Sequence, residues 1–287
     1  MHLENGGILT GRFTLPTEQA STPIPLLVCL HGGSYDSEYF DASESLSISR
    51  ISKQFRAPVI AIDRPGYGGI HHVPPATPDS DLTYAQQQGK YINGVLLPAI
   101  WREYGERSNS AIVLLAHSIG AMMATITAGC YTRTEGYPLA GLITSGLIEP
   151  DAEFVLFDPA IKDRSMLQLP GMDLVSPDVA ELTAGLNKPT PIGELIDINK
   201  TWLGYWHEYS HAVRVPLMYG TSEFDELWKS TTEALEKYRQ AFPSSNGEFN
   251  AVKNAPHCIE LSYQCDLWLR KCFDFAFRCI VQYEGRR

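Results

Sequence analysis

Short apolar runs recur along the chain, and most of them end in Gly, His or Asp. They are PLLVCLHGG (25–33), PVIAIDRPGYG (58–68), AIVLLAHS (111–118), LAGLITSG (139–146), VPLMYGTSE (215–223) and EFNAVKNAPH (248–257). The first five lack polar alternation, which predicts strands covered on both faces. An earlier run, GILTGRFTLP, alternates and suits an antiparallel edge strand. Between the runs lie segments with helical spacing: 45–55, 82–104, 119–132, 226–241 and 260–281. In the second of these, Ala85, Ile92, Leu96 and Ile100 share one face, and Pro98 predicts a kink. Strand and helix alternating at this spacing predict an α/β fold: an open, mostly parallel sheet with helices on both faces.

One segment breaks the rhythm. Residues 147–212 hold no clear strand and many Pro and Gly residues, among them Pro159, Pro170, Gly171, Pro177, Pro189, Pro191 and Gly193. The same stretch carries Phe154, Phe157, Trp202, Tyr205, Trp206 and Tyr209. It reads as a helical cap inserted into a core made of residues 1–146 and 213–287. The plainer alternative is a helical subdomain that only adds stability.

Composition narrows the class. At 287 residues, with 44% hydrophobic and 20% charged positions, the chain can bury a core of ordinary size. The net charge of −10 comes with no basic cluster, which argues against nucleic acid or an anionic membrane as partner. The N-terminal MHLENGGILTGRF has neither a basic nor an apolar signal region, and no apolar run reaches the length of a membrane span. A soluble, cytoplasmic protein is the expectation. Cys258, Cys265, Cys272 and Cys279 recur every seven residues, which places them on one stripe of a C-terminal helix. Neighbours would stand about 10 Å apart along the axis, beyond disulfide reach. These cysteines, with Cys29 and Cys130, read as small buried hydrophobes.

In an open parallel sheet, ligands bind beyond the carboxyl ends of the strands. The residues just after the runs are His31-Gly32-Gly33-Ser34, Asp63 to Gly68, His117-Ser118-Ile119-Gly120, Gly220 to Asp225 and Pro256-His257. A serine, an acid and a histidine thus appear in that order, each at a strand end. Ser118 follows a five-residue apolar run and precedes a helix, with small residues (Ala116 and Gly120) two positions either side. A sharp strand-to-helix turn tolerates only small neighbours there.

These features together resemble the α/β-hydrolase family over essentially the whole chain. Alanine at 116, where the family's elbow usually has glycine, is a mild departure. The resemblance implies that Ser118 is a nucleophile, that His257 is its base, and that an acid holds the imidazole. Glu223 stands where the family usually places that acid; Asp225 is two residues further on, and Glu149 or Asp151 is a distant third. Glu223 is slightly favoured. Gly33 and Ile119 would supply the oxyanion-binding N–H groups, with Ser34 close enough to contribute. His117 reads more as packing than as a participant, but it lies with Ser34, Trp202 and Trp206 among the residues placed nearest a substrate. His71 and His72 read as solvated loop residues. A serine at the elbow sets the chain apart from haloalkane dehalogenases and epoxide hydrolases, which use aspartate there.

A rival motif is His207-Glu208-Tyr209-Ser210-His211, which fits the zinc-metalloprotease pattern H-E-x-x-H. Arg214 replaces the glycine of the extended form, and no convincing third ligand follows. No metal site is expected. Other members of the fold use the same residues as ligand receptors or lyases, so fold alone does not decide. The expectation is a cofactor-independent serine hydrolase that cleaves an ester, thioester or lactone of an apolar or aromatic small molecule.

Overall fold

The strands predicted from the apolar runs form a single seven-stranded sheet in the order β1-β3-β2-β4-β5-β6-β7. They are β1 (Gly11–Thr14), β2 (Leu26–Leu30), β3 (Val59–Ile62), β4 (Ile112–His117), β5 (Leu139–Ser145), β6 (Leu217–Phe224) and β7 (Gly247–Pro256). The structure, a computed structural model, describes residues 1–15, 23–67, 80–106, 111–147, 166–167, 173–228, 231–243 and 246–286. β1 pairs antiparallel with β3 at one edge, and all other pairings are parallel. The alternating first run is therefore the antiparallel edge strand, and the non-alternating runs occupy the middle.

Each inner strand feeds two cores. Leu26, Val28 and Leu30 of β2, with Ile112, Leu114 and Ala116 of β4, face one way. Leu27 and Cys29, with Val113 and Leu115, face the other. This is the period-two alternation of strand side chains, made invisible as polarity because both faces are buried. The first face is covered by α2 (Tyr84–Tyr91), α4 (Ile119–Cys130), α7 (Trp202–Ala212) and α8 (Thr232–Gln240). The second is covered by α1 (Ile48–Phe55) and α9 (Cys265–Glu284). At about 1.5–3 kcal/mol for each fully buried large aliphatic or aromatic side chain, these layers dominate the stability.

Pro98 does not end its helix. A short helical turn, α3 (Leu97–Ile100), contains it, and π-type turns at Ile92–Leu96 and Trp101–Gly105 flank it. A proline lacks the N–H that the ladder requires, and a wider turn is one way to absorb the defect. The cysteine stripe is shorter than expected. Cys265, Cys272 and Cys279 lie buried on α9, whereas Cys258 precedes the helix.

Between β5 and β6 the described elements are helical. They include α5 (Val179–Leu186) and α6 (Ile192–Ile196), a π-type turn at Asp197–Thr201, and α7. Phe154, Phe157, Pro159, Pro170, Gly171, Glu149 and Asp151 lie outside the described residues, as do His71, His72 and Gly68. The carboxylate of Asp197 accepts the Ala85 N–H at 2.5 Å, at the start of α2. The Tyr205 and Thr83 hydroxyls meet at 3.0 Å. The segment before β6 is thus tied to α2. Among the described residues no helix is long and apolar enough to cross a membrane.

α7 crosses α4 at Gly129, where an added Cβ would come within 2.6 Å of the Tyr209 carbonyl oxygen. Gly204, on α7 itself, has open space at the same position. Gly129→Ala should therefore destabilise the protein by about 1–3 kcal/mol through overpacking. Gly204→Ala should be neutral or stabilising by up to about 1 kcal/mol. Urea denaturation of the two variants checks both signs.

Candidate active site

β4 ends at His117, and α4 begins at Ile119 with no residue to spare. Ser118 between them has φ 53° and ψ −123°, a conformation that a serine adopts only when its surroundings enforce it. Those surroundings are backbone. The Ser118 N–H donates to the Ser145 carbonyl at 2.8 Å, and its own carbonyl accepts the Ala121 N–H at 2.8 Å. A Cβ at Gly120 would lie 2.3 Å from the Leu30 carbonyl oxygen and 2.4 Å from that of His31. Only glycine lets α4 approach the end of β2 this closely.

The Ser118 Oγ lies 3.1 Å from His257 Nε2, and His257 Nδ1 lies 2.8 Å from Asp225 Oδ2. The carboxylate fixes the Nδ1–H tautomer and leaves Nε2 free to accept the serine proton. The other carboxylate oxygen of Asp225 accepts the N–H groups of Leu227 at 2.9 Å and Trp228 at 3.1 Å. Serine, histidine and acid form one unbroken chain.

Glu223, the slightly favoured acid, is not part of it. β6 runs on to Phe224, further than its apolar run suggests, with a register shift against β7 between Ser222 and Phe224. Glu223 is therefore still in the strand and exposed, with Oε2 accepting the Asn254 N–H at 3.0 Å. Asp225 is the first residue past the strand end, and its carboxyl turns in under His257.

Gly33 lies beside the elbow: a Cβ there would come 2.7 Å from Ile119 Cδ1. The Ile119 N–H opens α4, so it has no helical carbonyl behind it. Ser34 is differently occupied. Its N–H donates to the Tyr67 hydroxyl at 3.2 Å and its Oγ to the Gly33 carbonyl at 2.8 Å, so its amide is not a third donor.

His117 is buried packing, stacked on Tyr39 with centroids 5.1 Å apart and set against His257 at 4.8 Å. Its Nδ1 lies 3.0 Å from Ser145 Oγ, which donates in turn to the buried Glu260 at 3.3 Å. Glu260 also accepts from the Tyr39 hydroxyl at 2.7 Å and from Trp268 Nε1 at 2.8 Å. Nothing in the sequence pattern points to this network, although Glu260 stands only three residues beyond His257. Trp202 and Trp206 are not placed as substrate contacts. Both are 3% exposed in the core, with Trp206 stacked on Tyr238 at 5.7 Å and Trp202 edge-on to Tyr205 at 5.5 Å.

The H-E-x-x-H residues lie on the last turns of α7, where His211 Nδ1 is bonded to the His207 carbonyl at 2.9 Å. Among the described residues no three His, Cys, Asp or Glu side chains converge as a metal-binding set.

The chain matches the model of the alpha/beta hydrolase family over residues 27–257, and it belongs to that family. Among solved structures it is similar to a monoacylglycerol lipase from Paleococcus ferrophilus, with 15% identity, 95% of this chain and 99% of that one covered, and a TM-score of 0.62. It is also similar to a thermophilic esterase from Thermogutta terrifontis, with 19% identity, 96% of each chain covered and a TM-score of 0.59. A lipase-esterase related protein from Clostridium acetobutylicum gives 12% identity, 93% and 99% coverage and a TM-score of 0.65. At such identities the likeness is one of fold. No curated protein matches the sequence significantly.

Burial pushes the His31 and His117 imidazoles well below their ordinary range; Arg64 adds to the effect on His31, and His257 and His31 add to that on His117. Both are therefore neutral in the fold, while the unfolded chain protonates them below about pH 6.5. The unfolded state then binds more protons, so stability falls on acidification, by up to about 1.4 kcal/mol per pH unit for each histidine. Glu260 has the opposite sign, because burial raises its carboxyl above its place in the unfolded chain. Two histidines against one carboxyl leave a net loss between pH 6.5 and 5. Urea denaturation across that range should show it, with a shallower slope in His117→Gln.

Proposed function

We propose that the protein is a serine hydrolase that cleaves an ester or a related acyl bond through an acyl-Ser118 intermediate. The observation that carries this assignment is the hydrogen-bonded chain Asp225–His257–Ser118 at a strained strand-to-helix turn. His257 Nε2 takes the Ser118 proton as Oγ bonds to the acyl carbon. The carbonyl π pair moves to oxygen, and the Gly33 and Ile119 N–H groups stabilise the charge. The carbon–leaving-group bond then breaks, and the imidazolium returns its proton to the departing alkoxide or thiolate. A water, deprotonated by His257, repeats the sequence on the acyl-enzyme and releases the acid and free Ser118. Asp225 stays ionised throughout and stabilises the imidazolium.

We infer an apolar or aromatic small-molecule acyl substrate. Its support is the immediate surround: Ile119 flanks Ser118 and Gly33, and buried Leu147 follows Gly146, whose Cβ position lies 2.9 Å from His257 Cε1. Residues 147–212 act as the cap in this scheme, and the chemistry needs neither metal nor organic cofactor. Six cysteines outside any disulfide suit a reducing, cytoplasmic setting.

A fluorophosphonate should give a single adduct on Ser118, read by intact mass and peptide mapping. Ser118→Ala should lose the adduct and about 10⁶-fold in kcat on an aryl ester; retained turnover in that variant would refute the mechanism. Asp225→Asn should cost about 10⁴-fold in kcat, while Glu223→Gln should stay within about threefold of wild type, since its carboxylate only ties down an exposed backbone N–H. A larger loss in Glu223→Gln than in Asp225→Asn would reverse the assignment of the acid.

A further inference from the structure

Outside the serine–histidine–acid chain, a dense buried polar cluster lies behind the loop after β2. Arg64 is 1% exposed and Glu194 0%. Their side chains meet as a fork on a fork: Arg64 Nη1 donates to Glu194 Oε1, and Nη2 donates to Oε2 at 3.1 Å. The same guanidinium holds two carbonyls of the loop, Nε donating to His31 O at 2.7 Å and Nη2 to Gly32 O at 3.1 Å. The Arg64 backbone N–H donates to His31 Nε2 at 3.1 Å, and His31 Nδ1 in turn bonds Gly32 O at 2.8 Å. Tyr67 closes the circuit. Its hydroxyl donates to Glu194 Oε2 at 2.9 Å and accepts the Ser34 N–H at 3.2 Å.

The peptide between Gly32 and Gly33 is the one that matters. A peptide unit is planar and trans, so its C=O and N–H point in opposite directions. Holding Gly32 O from behind with Arg64 and His31 aims the Gly33 N–H away from them. Gly33 is the residue set against Ile119, on the elbow side. Two successive glycines have no Cβ to restrain that plane, and the chain could rotate it at little steric cost. The restraint comes from the guanidinium, and the guanidinium is itself held by a carboxylate from α6, 130 residues further along the chain.

We propose that Glu194 is a positioning residue for the oxyanion loop, acting through Arg64 and Tyr67 to fix the Gly32–Gly33 peptide. This rests on the assignment of Ser118 as nucleophile. Stability alone would not call for this arrangement, because an apolar pair of similar volume fills such a site as well as or better than a buried ion pair. The planar, five-donor fork of arginine is what lets one side chain grip two carbonyls and a carboxylate at once. Lysine could not make that set of contacts.

The test uses a fluorophosphonate as probe, with kinact and KI read by intact mass on the full chain, beside thermal melts. Three changes are compared: Glu194→Gln, the apolar pair Arg64→Met with Glu194→Leu, and Tyr67→Phe. Breaking one half of a buried pair can unfold a protein; the apolar pair removes both charges and keeps a folded chain to measure. The expected result for the single and the paired change is a 10²–10³-fold fall in kinact, the size of a lost oxyanion donor, with KI within about twofold. Tyr67→Phe should fall about tenfold, since it loosens only the Ser34 side of the loop. The pH profile of labelling should keep its wild-type shape in all three, because His257 and Asp225 keep their partners. A cooperatively folded apolar pair that labels at the wild-type rate overturns the inference. So does a change confined to KI, or a shifted pH profile. Wild-type protein that is not labelled at Ser118 at all would instead overturn the assignment of the nucleophile, and the two failures are distinct.

Discussion

The constraint on which the site depends is the contact between Gly120 and the end of β2. With carbonyl oxygens 2.3 and 2.4 Å from where a Cβ would stand, α4 is drawn against the sheet as tightly as backbone allows. Much else depends on that approach. It forces the abrupt turn that gives Ser118 its left-handed φ. It carries the Ile119 side chain alongside Gly33, two residues from distant parts of the sequence. It also brings His117 under His257, where the two rings lie 4.8 Å apart.

Around this contact the protein concentrates its buried polar chemistry at the carboxyl edge of the sheet. Glu260, His117 and Ser145 lie behind the histidine, and Arg64, Glu194 and His31 lie behind the glycine loop. Buried polar groups are costly unless they are partnered, and these are partnered with one another and with backbone, His117 Nε2 excepted. Such networks are stiff because each group has few alternative partners. The hydroxyl of Ser118 and the imidazole of His257 are held at a fixed separation by that stiffness.

Much of this was legible in the sequence because it follows from local pattern. Strands buried on both faces appear as unbroken apolar runs; Ser118 and Gly33 stand just beyond such runs, and His257 directly after the last, more polar strand. What was not legible depends on where a strand stops or on who meets whom across the chain. Glu223 and Asp225 differ by two positions, and only the bulge that carries β6 to Phe224 decides which one reaches the imidazole. Arg64 stood in plain view in its loop, but its partner Glu194 belongs to a segment marked mainly by proline and glycine. Trp202 and Trp206 show the opposite limit. Aromatic content alone cannot tell a pocket wall from a packed interior, and here both rings are spent on packing.

The ion pair between Arg64 and Glu194 has a further consequence for how the molecule could be rebuilt. The loop after β3 and helix α6 are separate in sequence but chemically one part. A chimera that received the 147–212 segment of another protein would leave Arg64 charged and buried without its carboxylate, a defect of about 3–5 kcal/mol. The reverse transplant would strand a carboxylate in a foreign core. The segment is therefore not a detachable module. Its border, drawn by chemistry, includes Arg64 and Tyr67, and recombination would have to move them together.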